Sequence, residues 1–314
     1  MKLKKYALIA LLLLVSMALC PLAAMGSRAD EKKEQTVPVI SQDIIGQTEY
    51  ITVMSSATGG MQKIGMREYL IGCVAAEMPP KYHPEALKAQ AIASYSYAKR
   101  LSEKGAEFIS DSPMTHQGYV SRQTRIKNWG EDFEKNEKKI SEAVDSVSGL
   151  RLTYGDETAL AVYHSISSGR TRSAESMWGE DIPYLRSVPS DGDRLSPDFA
   201  DEKSYTADEL SEKLGVEIEG DPTVWVDDVE KTDGYVDTAV ICGKEFDGTE
   251  IRDSLGLRSE SFEIECGENS VTFICEGHGH GVGMSQYGAD YMARQGSTYA
   301  EILAHYYPDT EITA

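Results

Sequence analysis

Two stretches of this chain hold side chains whose types and setting could do chemistry. The first ends in Ala76-Glu77-Met78-Pro79. Glu77 closes an otherwise apolar helical turn, beside Met78 and two prolines. Partial burial there disfavours the carboxylate, and the negative end of the helix dipole repels it. Both effects raise the pKa and suit a general acid. An ordinary exposed glutamate at a helix end is the competing reading. The second stretch, about 200 residues further on, runs from Glu276 to Ala289 and holds five glycines within Gly277–Gly288. So many glycines do not sit in a helix interior, so the run reads as a loop that displays His280, Gln286 and Tyr287. It ends in neither Gly-Lys-Ser/Thr nor a strand-to-helix Gly-x-Gly-x-x-Gly, so phosphate is not its expected ligand. An imidazole, a carboxamide and a phenol suit hydroxyl- and amide-rich ligands such as amino sugars. A purely structural tight turn is the alternative.

Other chemistries find less support. His278-x-His280 would place two imidazoles on one side of an extended segment, but His83, His116, His164 and His305 are each isolated, so no metal is expected. No other cofactor is indicated. Cys266 and Cys275 flank Gly267-Glu268-Asn269-Ser270, which reads as a hairpin turn. If Cys266 faces Val271, then Cys275 faces Phe262; the thiols are not opposed, and free buried thiols are expected rather than a disulfide.

The elements that position these residues follow from periodicity. Tyr69, Leu70, Cys73, Val74 and Glu77 recur at helical spacing from Met66, and Pro79-Pro80 stops that helix. A second helix starts at Pro84 and runs to about Leu101, its alanines allowing close packing. Strands are expected at Leu150–Tyr154, Ala159–His164 and Val236–Cys242, with a hairpin over Ser261–Glu276. An acidic surface helix is expected from Ser204 to about Leu214. Ala289–Gly296 reads as a helix closed by glycine, and a last helix begins at Ser297 or Thr298 with Glu301 in its early turns. The fold class is α+β: two packed N-terminal helices on mixed or antiparallel strands with a glycan-binding cleft, after an N-terminal membrane helix.

That membrane helix is expected at residues 1–26, where Lys2, Lys4 and Lys5 precede an uncharged stretch from Tyr6 to Gly26. Its length suits either a retained anchor or a cleaved signal, and the basic end should stay in the cytoplasm. Residues 27–49 read as a flexible linker, and residues 50–314 as one large domain or two small ones. The protein is therefore expected on the exported side of the membrane, or secreted if the segment is cleaved. The chain carries a net charge of −20, so nucleic acid is not an expected partner, whereas a neutral glycan would be tolerated.

Several motifs in order resemble the family of stage II sporulation protein D, which includes the amidase enhancers. They are Ala76-Glu77-Met78-Pro79, Glu85-Ala86-Leu87-Lys88-Ala89-Gln90-Ala91, Tyr163-His164-Ser165, Ser168-Gly169-Arg170-Thr171, Trp178-Gly179, Leu255-Gly256-Leu257-Arg258-Ser259, the glycine loop and His305-Tyr306-Tyr307-Pro308. The resemblance implies a membrane-anchored lytic transglycosylase, with residues 50–314 as a single catalytic domain. It would cut peptidoglycan glycan strands during engulfment, between mother cell and forespore, preferring strands already stripped of stem peptides. Glu77 falls on the catalytic glutamate, and stage II sporulation proteins P and M are implied partners. Ser167, Ser168, Thr171, His280, Gln286 and Tyr287 are the positions expected around the sugar, with His164 and His280 either bracing loops or touching substrate. Tyr95 departs from the pattern, standing where many relatives carry an arginine. Some relatives hold a zinc; His116 has no nearby cysteine, and no metal is carried over. A non-catalytic activator of a cell-wall amidase is the other function implied.

Overall fold

The computed structural model of the protein describes residues 49–314. The expected anchor at 1–26 and nearly all of the expected linker lie outside the described residues. Among the described residues no helix is long and apolar enough to cross a membrane.

The chain enters through an antiparallel hairpin, β1 (Tyr50–Met54) and β2 (Met61–Gly65), and runs directly into α1 (Met66–Glu77). Helix α2 (Pro84–Glu103) follows after a short turn. Pro84 occupies its first turn, where no N–H is needed, and His83 caps it by accepting the Glu85 N–H at 3.3 Å. The short β3 (Ile109–Ser110) adds to β1 in parallel. Next come α3 (Arg122–Trp129), capped by Ser121, and α4 (Phe133–Ser146). α2 is the central helix, packed against α1 and α4. Its buried Ala86, Ala89, Ala91, Ala93 and Ala98 let neighbouring backbones approach, while Leu87 and Ile92 fill the spaces between.

β4 (Arg151–Tyr154) and β5 (Glu157–Thr158) pair antiparallel. The strand expected over Ala159–His164 is interrupted; only β6 (Tyr163–His164) forms, because its partner lies far along the chain. A short α5 (Ala174–Trp178) precedes a second hydrophobic cluster. That cluster is built from β7 (Ala200–Thr206), α6 (Ala207–Leu214), the meander β8 (Val226–Thr232), β9 (Tyr235–Ile241) and β10 (Lys244–Asp247), then α7 (Gly248–Leu255) and the hairpin β11 (Phe262–Cys266) and β12 (Ser270–Glu276). The acidic segment thus begins as strand: Ser204 to Thr206 pair with β12, and the helix starts only after Thr206, which forms a capping box with Glu209. Phe246, Phe262 and Phe273 anchor this cluster. In the hairpin Cys266 pairs with Val271 and Phe262 with Cys275, the register the turn implied, and all four cysteines among the described residues are free thiols.

The chain then returns to the first cluster. β13 (Met284–Ser285) pairs in parallel with β6, and α8 (Gln286–Arg294) and α9 (Tyr299–Tyr306) both pack on α2. α8 begins three residues earlier than the expected Ala289, because Ser285 caps it by accepting the Gly288 N–H. Thr298 and Glu301 form the capping box of α9. β14 (Glu311–Thr313) closes on β4. Glu77 and Gln286, more than 200 positions apart, thereby come to one place on either side of α2.

Candidate active site

Glu77 is the last residue of α1, and its position is set from both sides. Ahead of it, buried Tyr69, Cys73 and Val74 hold the helix against the core. After it, Met78 leaves the helix in an extended conformation and is itself 1% exposed, so the chain turns sharply and Glu77 stays half-buried.

Both carboxylate oxygens have donors. The Gly118 N–H reaches Oε1 at 2.6 Å, and Gln286 Nε2 reaches Oε2 at 3.1 Å. Glycine is required for the first contact: a Cβ at 118 would lie 2.8 Å from Oε1. The Gln286 amide cannot turn over without loss, because the same Nε2 also donates to Gln90 Oε1 at 3.4 Å. Gln90 in turn gives its Nε2 to Ser94 Oγ at 3.0 Å. Beyond that point Ser94, Tyr163 and Gln117 continue the network, with Tyr163 OH donating to Gln117 Oε1 at 2.7 Å and Gln117 Nε2 to Tyr69 OH at 2.7 Å. Gln117 is the residue before Gly118, so the network closes around Glu77 and fixes both of its donors.

Burial is the largest influence on the Glu77 pKa and raises it above the ordinary carboxylate value. The two hydrogen bonds pull the other way without cancelling it. The result is a carboxyl that keeps its proton more readily than a surface glutamate, yet has two donors waiting for the anion once the proton has gone.

Glu77 opens onto a cleft of about 900 Å³, within the size range of small-ligand sites. Its walls include the aromatic rings of Tyr82, Trp129 and Tyr287 and the polar groups of Ser165, Gln286 and His278. Tyr82 and Tyr287 meet edge to face with centroids 6.4 Å apart. Tyr287 is pinned from both ends, its N–H donating to the Ser165 carbonyl at 3.1 Å and its hydroxyl to the Leu195 carbonyl at 3.1 Å. Asp290 is engaged with the His83 N–H at 2.6 Å and Arg294 Nε at 2.7 Å, tying the turn between α1 and α2 to α8.

The glycine loop does its work mainly by approach. Gly277, Gly279, Gly281 and Gly283 all have positive φ, and a Cβ on Gly283 would fall 2.0 Å from the Val162 carbonyl oxygen. This tight passage lays the loop along residues 162–166, where Ile166 bridges His278, and delivers Gln286 beside Glu77.

Of the residues expected around a sugar, Glu77, Gln286 and Tyr287 meet in the cleft. Ser167, Ser168 and Thr171 do not line it: all three are buried. Ser167 gives its N–H and its hydroxyl to Asp193 Oδ2, at 2.8 and 2.5 Å. Thr171 Oγ1 accepts the Val188 N–H at 2.8 Å, and the Ser168 N–H faces Tyr235 OH at 3.4 Å. Their chain segment turns inward there, so their hydroxyls hold the loops that flank the cleft. His280 also lies outside the lining, its ring beside His164 and Trp178 with centroids 5.9 and 5.7 Å away, in the bracing position. Its neighbour His278 takes the place in the cleft instead: an extended segment would put both rings on one side, but Gly279 between them has a φ of 106°, which breaks that period and separates them.

Tyr95 is remote from the cleft lining. Its hydroxyl donates to Glu49 Oε2 at 2.9 Å, and Lys99 pairs with the other Glu49 oxygen at 2.9 Å. His116 Nδ1 accepts the Ser110 N–H at 3.1 Å. Among the described residues no three histidine, cysteine or acidic side chains are grouped to hold a metal ion. Gly118, Gln90, Trp129 and Tyr82 are the site residues that sequence reasoning missed as such. Gln90 alone had a visible signal, a carboxamide in an alanine-rich helix.

The family model described as Stage II sporulation protein matches residues 55–154, the span that contains Glu77 and Gly118. Stage II sporulation protein D of Bacillus subtilis strain 168 is 41% identical over 271 residues, covering 84% of this chain and 78% of that protein. Its counterpart in Bacillus amyloliquefaciens is 40% identical over the same span. The amidase enhancer of Bacillus subtilis strain 168 is 25% identical over 299 residues, covering 78% of this chain but 40% of the enhancer.

Proposed function

Because the chain belongs to the stage II sporulation protein D family, we propose that it is a lytic transglycosylase acting on peptidoglycan glycan strands, with Glu77 as its acid and base. The observation that carries this reading is the Glu77 carboxyl itself: raised in pKa by burial, open to a cleft, and supplied with two donors for its anion.

In the reaction the Glu77 proton passes to the oxygen bridging C1 of N-acetylmuramic acid and the 4-position of N-acetylglucosamine. The C1–O bond breaks, and the N-acetylglucosamine end leaves as an alcohol. Gly118 N–H and Gln286 hold the new carboxylate. That carboxylate accepts the proton of the muramoyl 6-hydroxyl as its oxygen closes on C1, giving a 1,6-anhydro ring and restoring the acid. No water is consumed, so no second carboxylate is needed to activate one. Tyr82, Trp129 and Tyr287 supply faces for the pyranose rings, and Gln286 and Ser165 supply partners for hydroxyl and acetamido groups.

The setting proposed is engulfment, with the chain anchored by residues 1–26 on the exported side of the membrane. Stage II sporulation proteins P and M are the proposed partners. A second reading has its own support in the amidase enhancer relative: a glycan-binding activator of an amidase that cuts nothing itself. The test is to incubate the full-length chain, as wild type and as Glu77→Gln, with peptide-free glycan strands and examine the products by mass spectrometry. Products ending in 1,6-anhydro-N-acetylmuramic acid, lost by at least about 10³-fold in the variant, are expected, in keeping with loss of a general acid. No cleavage by either form, with equal stimulation of an added amidase by both, would sink the enzyme reading.

A further inference from the structure

The charge inside the cleft runs against the charge of the chain. The protein carries −20 overall. With Glu77 protonated, however, the cleft is lined by three cationic side chains, Lys81, Arg258 and Arg294, against two carboxylates, Asp198 and Asp290. Arg294 is spent on Asp290 at 2.7 Å and the Lys81 carbonyl at 3.1 Å. Lys81 is exposed on the turn between α1 and α2.

Arg258 is different. It is half-buried, and its contacts are long: Nη1 to the Asp198 carbonyl at 3.4 Å and Nη2 to Asp201 Oδ1 at 3.4 Å. A guanidinium has five N–H donors in a planar fork, so most of this one's capacity is uncommitted. Its backbone is fixed, since its carbonyl accepts the Gly279 N–H at 2.9 Å. From there the path to the acid is short and continuous: Gly279 adjoins His278, His278 bridges Ile166, and Ser165 accepts from Tyr287 next to Gln286, which donates to Glu77. Burial lowers the pKa of His278, and the positive charge of Arg258 lowers it further.

A peptidoglycan glycan strand is neutral except at one group. The lactyl arm of each muramoyl unit ends in a carboxyl that is an uncharged amide while a stem peptide is attached and a free carboxylate once that peptide is removed. We propose that Arg258 is a specificity-determining residue that pairs with this free lactyl carboxylate, so that the cleft reads directly whether the peptide is gone. A fork-to-carboxylate pair in a half-buried site has the geometry and the strength for such a choice. The assignment rests on the glycan reading above, and it adds the group on the strand that is recognised and the residue that recognises it.

The test changes the substrate before it changes the protein. Peptide-free strands are compared with the same strands after their lactyl carboxylates have been capped as methylamides, and with strands that retain their stem peptides. The full-length wild-type chain is expected to favour the free acid over the methylamide by about 10- to 100-fold in kcat/KM, the worth of a charge-assisted pair, with the difference mainly in KM. Arg258→Gln should collapse that preference to within about threefold, and Arg258→Lys should recover part of it, since a point charge replaces the fork. Binding is read separately by the change in tryptophan fluorescence that is lost when Trp129 in the cleft is replaced by Phe, using the Glu77→Gln chain, in which cleavage is suppressed. Discrimination in binding without cleavage by any form would defeat the transglycosylase reading and leave Arg258 standing. Cleavage of free acid and methylamide alike would defeat the Arg258 assignment and leave the enzyme standing. A preference for peptide-bearing strands that Arg258→Gln abolishes would also overturn it, because the carboxylate being read would then belong to the peptide.

Discussion

At Glu77 the burial penalty and two hydrogen bonds pull in opposite directions, and burial prevails. This sets the pH behaviour. The acid works only while protonated, so kcat should be level at low pH and fall as pH rises through an apparent pKa above the ordinary 4.5. Gln286 stabilises the anion, so its removal raises the pKa further. Gln286→Leu should therefore move the falling limb to higher pH, by up to about one unit if the bond is worth about 1.4 kcal/mol. A pH profile of kcat for the two proteins reads this directly. A limb that stayed in place or moved to lower pH would mean that Gln286 does not act on the Glu77 proton. Gly118 cannot be tested in the same way, because any side chain there displaces the carboxylate instead of removing its donor.

At the scale of the element, the cleft depends on how α3 is held. Arg125 on that helix has no exposed side-chain surface, and it reaches Glu68 on α1 at 2.9 Å and Glu137 on α4 at 2.8 Å. It also donates to the Val120 carbonyl at 2.9 Å. One guanidinium thus ties three helices together and sets the end of α3, which carries Trp129 into the cleft. Arg125→Leu should cost about 3 kcal/mol, at the low end for breaking a buried ion pair because both carboxylates keep some contact with water. Urea unfolding would show it as a lower midpoint. Adding Glu137→Leu should restore part of the loss, whereas no recovery would mean that the ion pair was not what held the helices. The early helices were legible in the sequence because Pro79-Pro80 and Pro84 punctuate an apolar repeat. The strand over Ala159–His164 was overread because its apolar run belongs to the core without pairing along its length. The acidic segment misled in the opposite sense: Ser204 and Thr206 are polar, yet with Tyr205 buried between them they join a sheet edge as strand.

At the scale of the molecule, the glycine loop leads from the second hydrophobic cluster, which includes Cys275, into the first, which includes its own Val282 and Met284, and a buried histidine sits where the loop meets β6. His164 Nδ1 lies 3.1 Å from the Val282 carbonyl, so it carries the proton, and Nε2 is left buried without a partner. Protonating Nε2 would place a charge where nothing accepts it, and burial depresses the His164 pKa from 6.5 to about 3. Between those values the unfolded chain binds more protons than the folded one, so stability is full above about pH 6.5 and declines as pH falls towards 3. The slope is at most about 1.4 kcal/mol per pH unit from this one group. His164→Asn retains a donor towards Val282 without the titrating nitrogen. It should lower stability at pH 7 but flatten its fall between pH 7 and 4, as followed by thermal melting. An unchanged slope would place the acid sensitivity elsewhere.

The sequence by itself determined the local pieces, among them the place of Glu77 at the end of a helix. Proline punctuation, helical spacing and the end position of Glu77 are properties of a few adjacent residues, and so are the hairpin register at Cys266, the first-turn Pro84 and the cap at Thr298. Tertiary structure decided which of the displayed polar groups face the cleft. Ser167, Ser168 and Thr171 look like ligands in the sequence because a hydroxyl bonding a sugar and a hydroxyl bonding Asp193 or Val188 have the same composition. His278 and His280 part company for a different reason: spacing alone puts both rings on one side, and the positive φ of Gly279 between them turns only His278 to the cleft. Gly118 and Arg258 could not be found by spacing at all. One is defined by the approach of a backbone to a carboxylate 41 positions earlier, the other by a cleft whose walls come from distant parts of the chain. Contacts of that kind exist only once the core has closed.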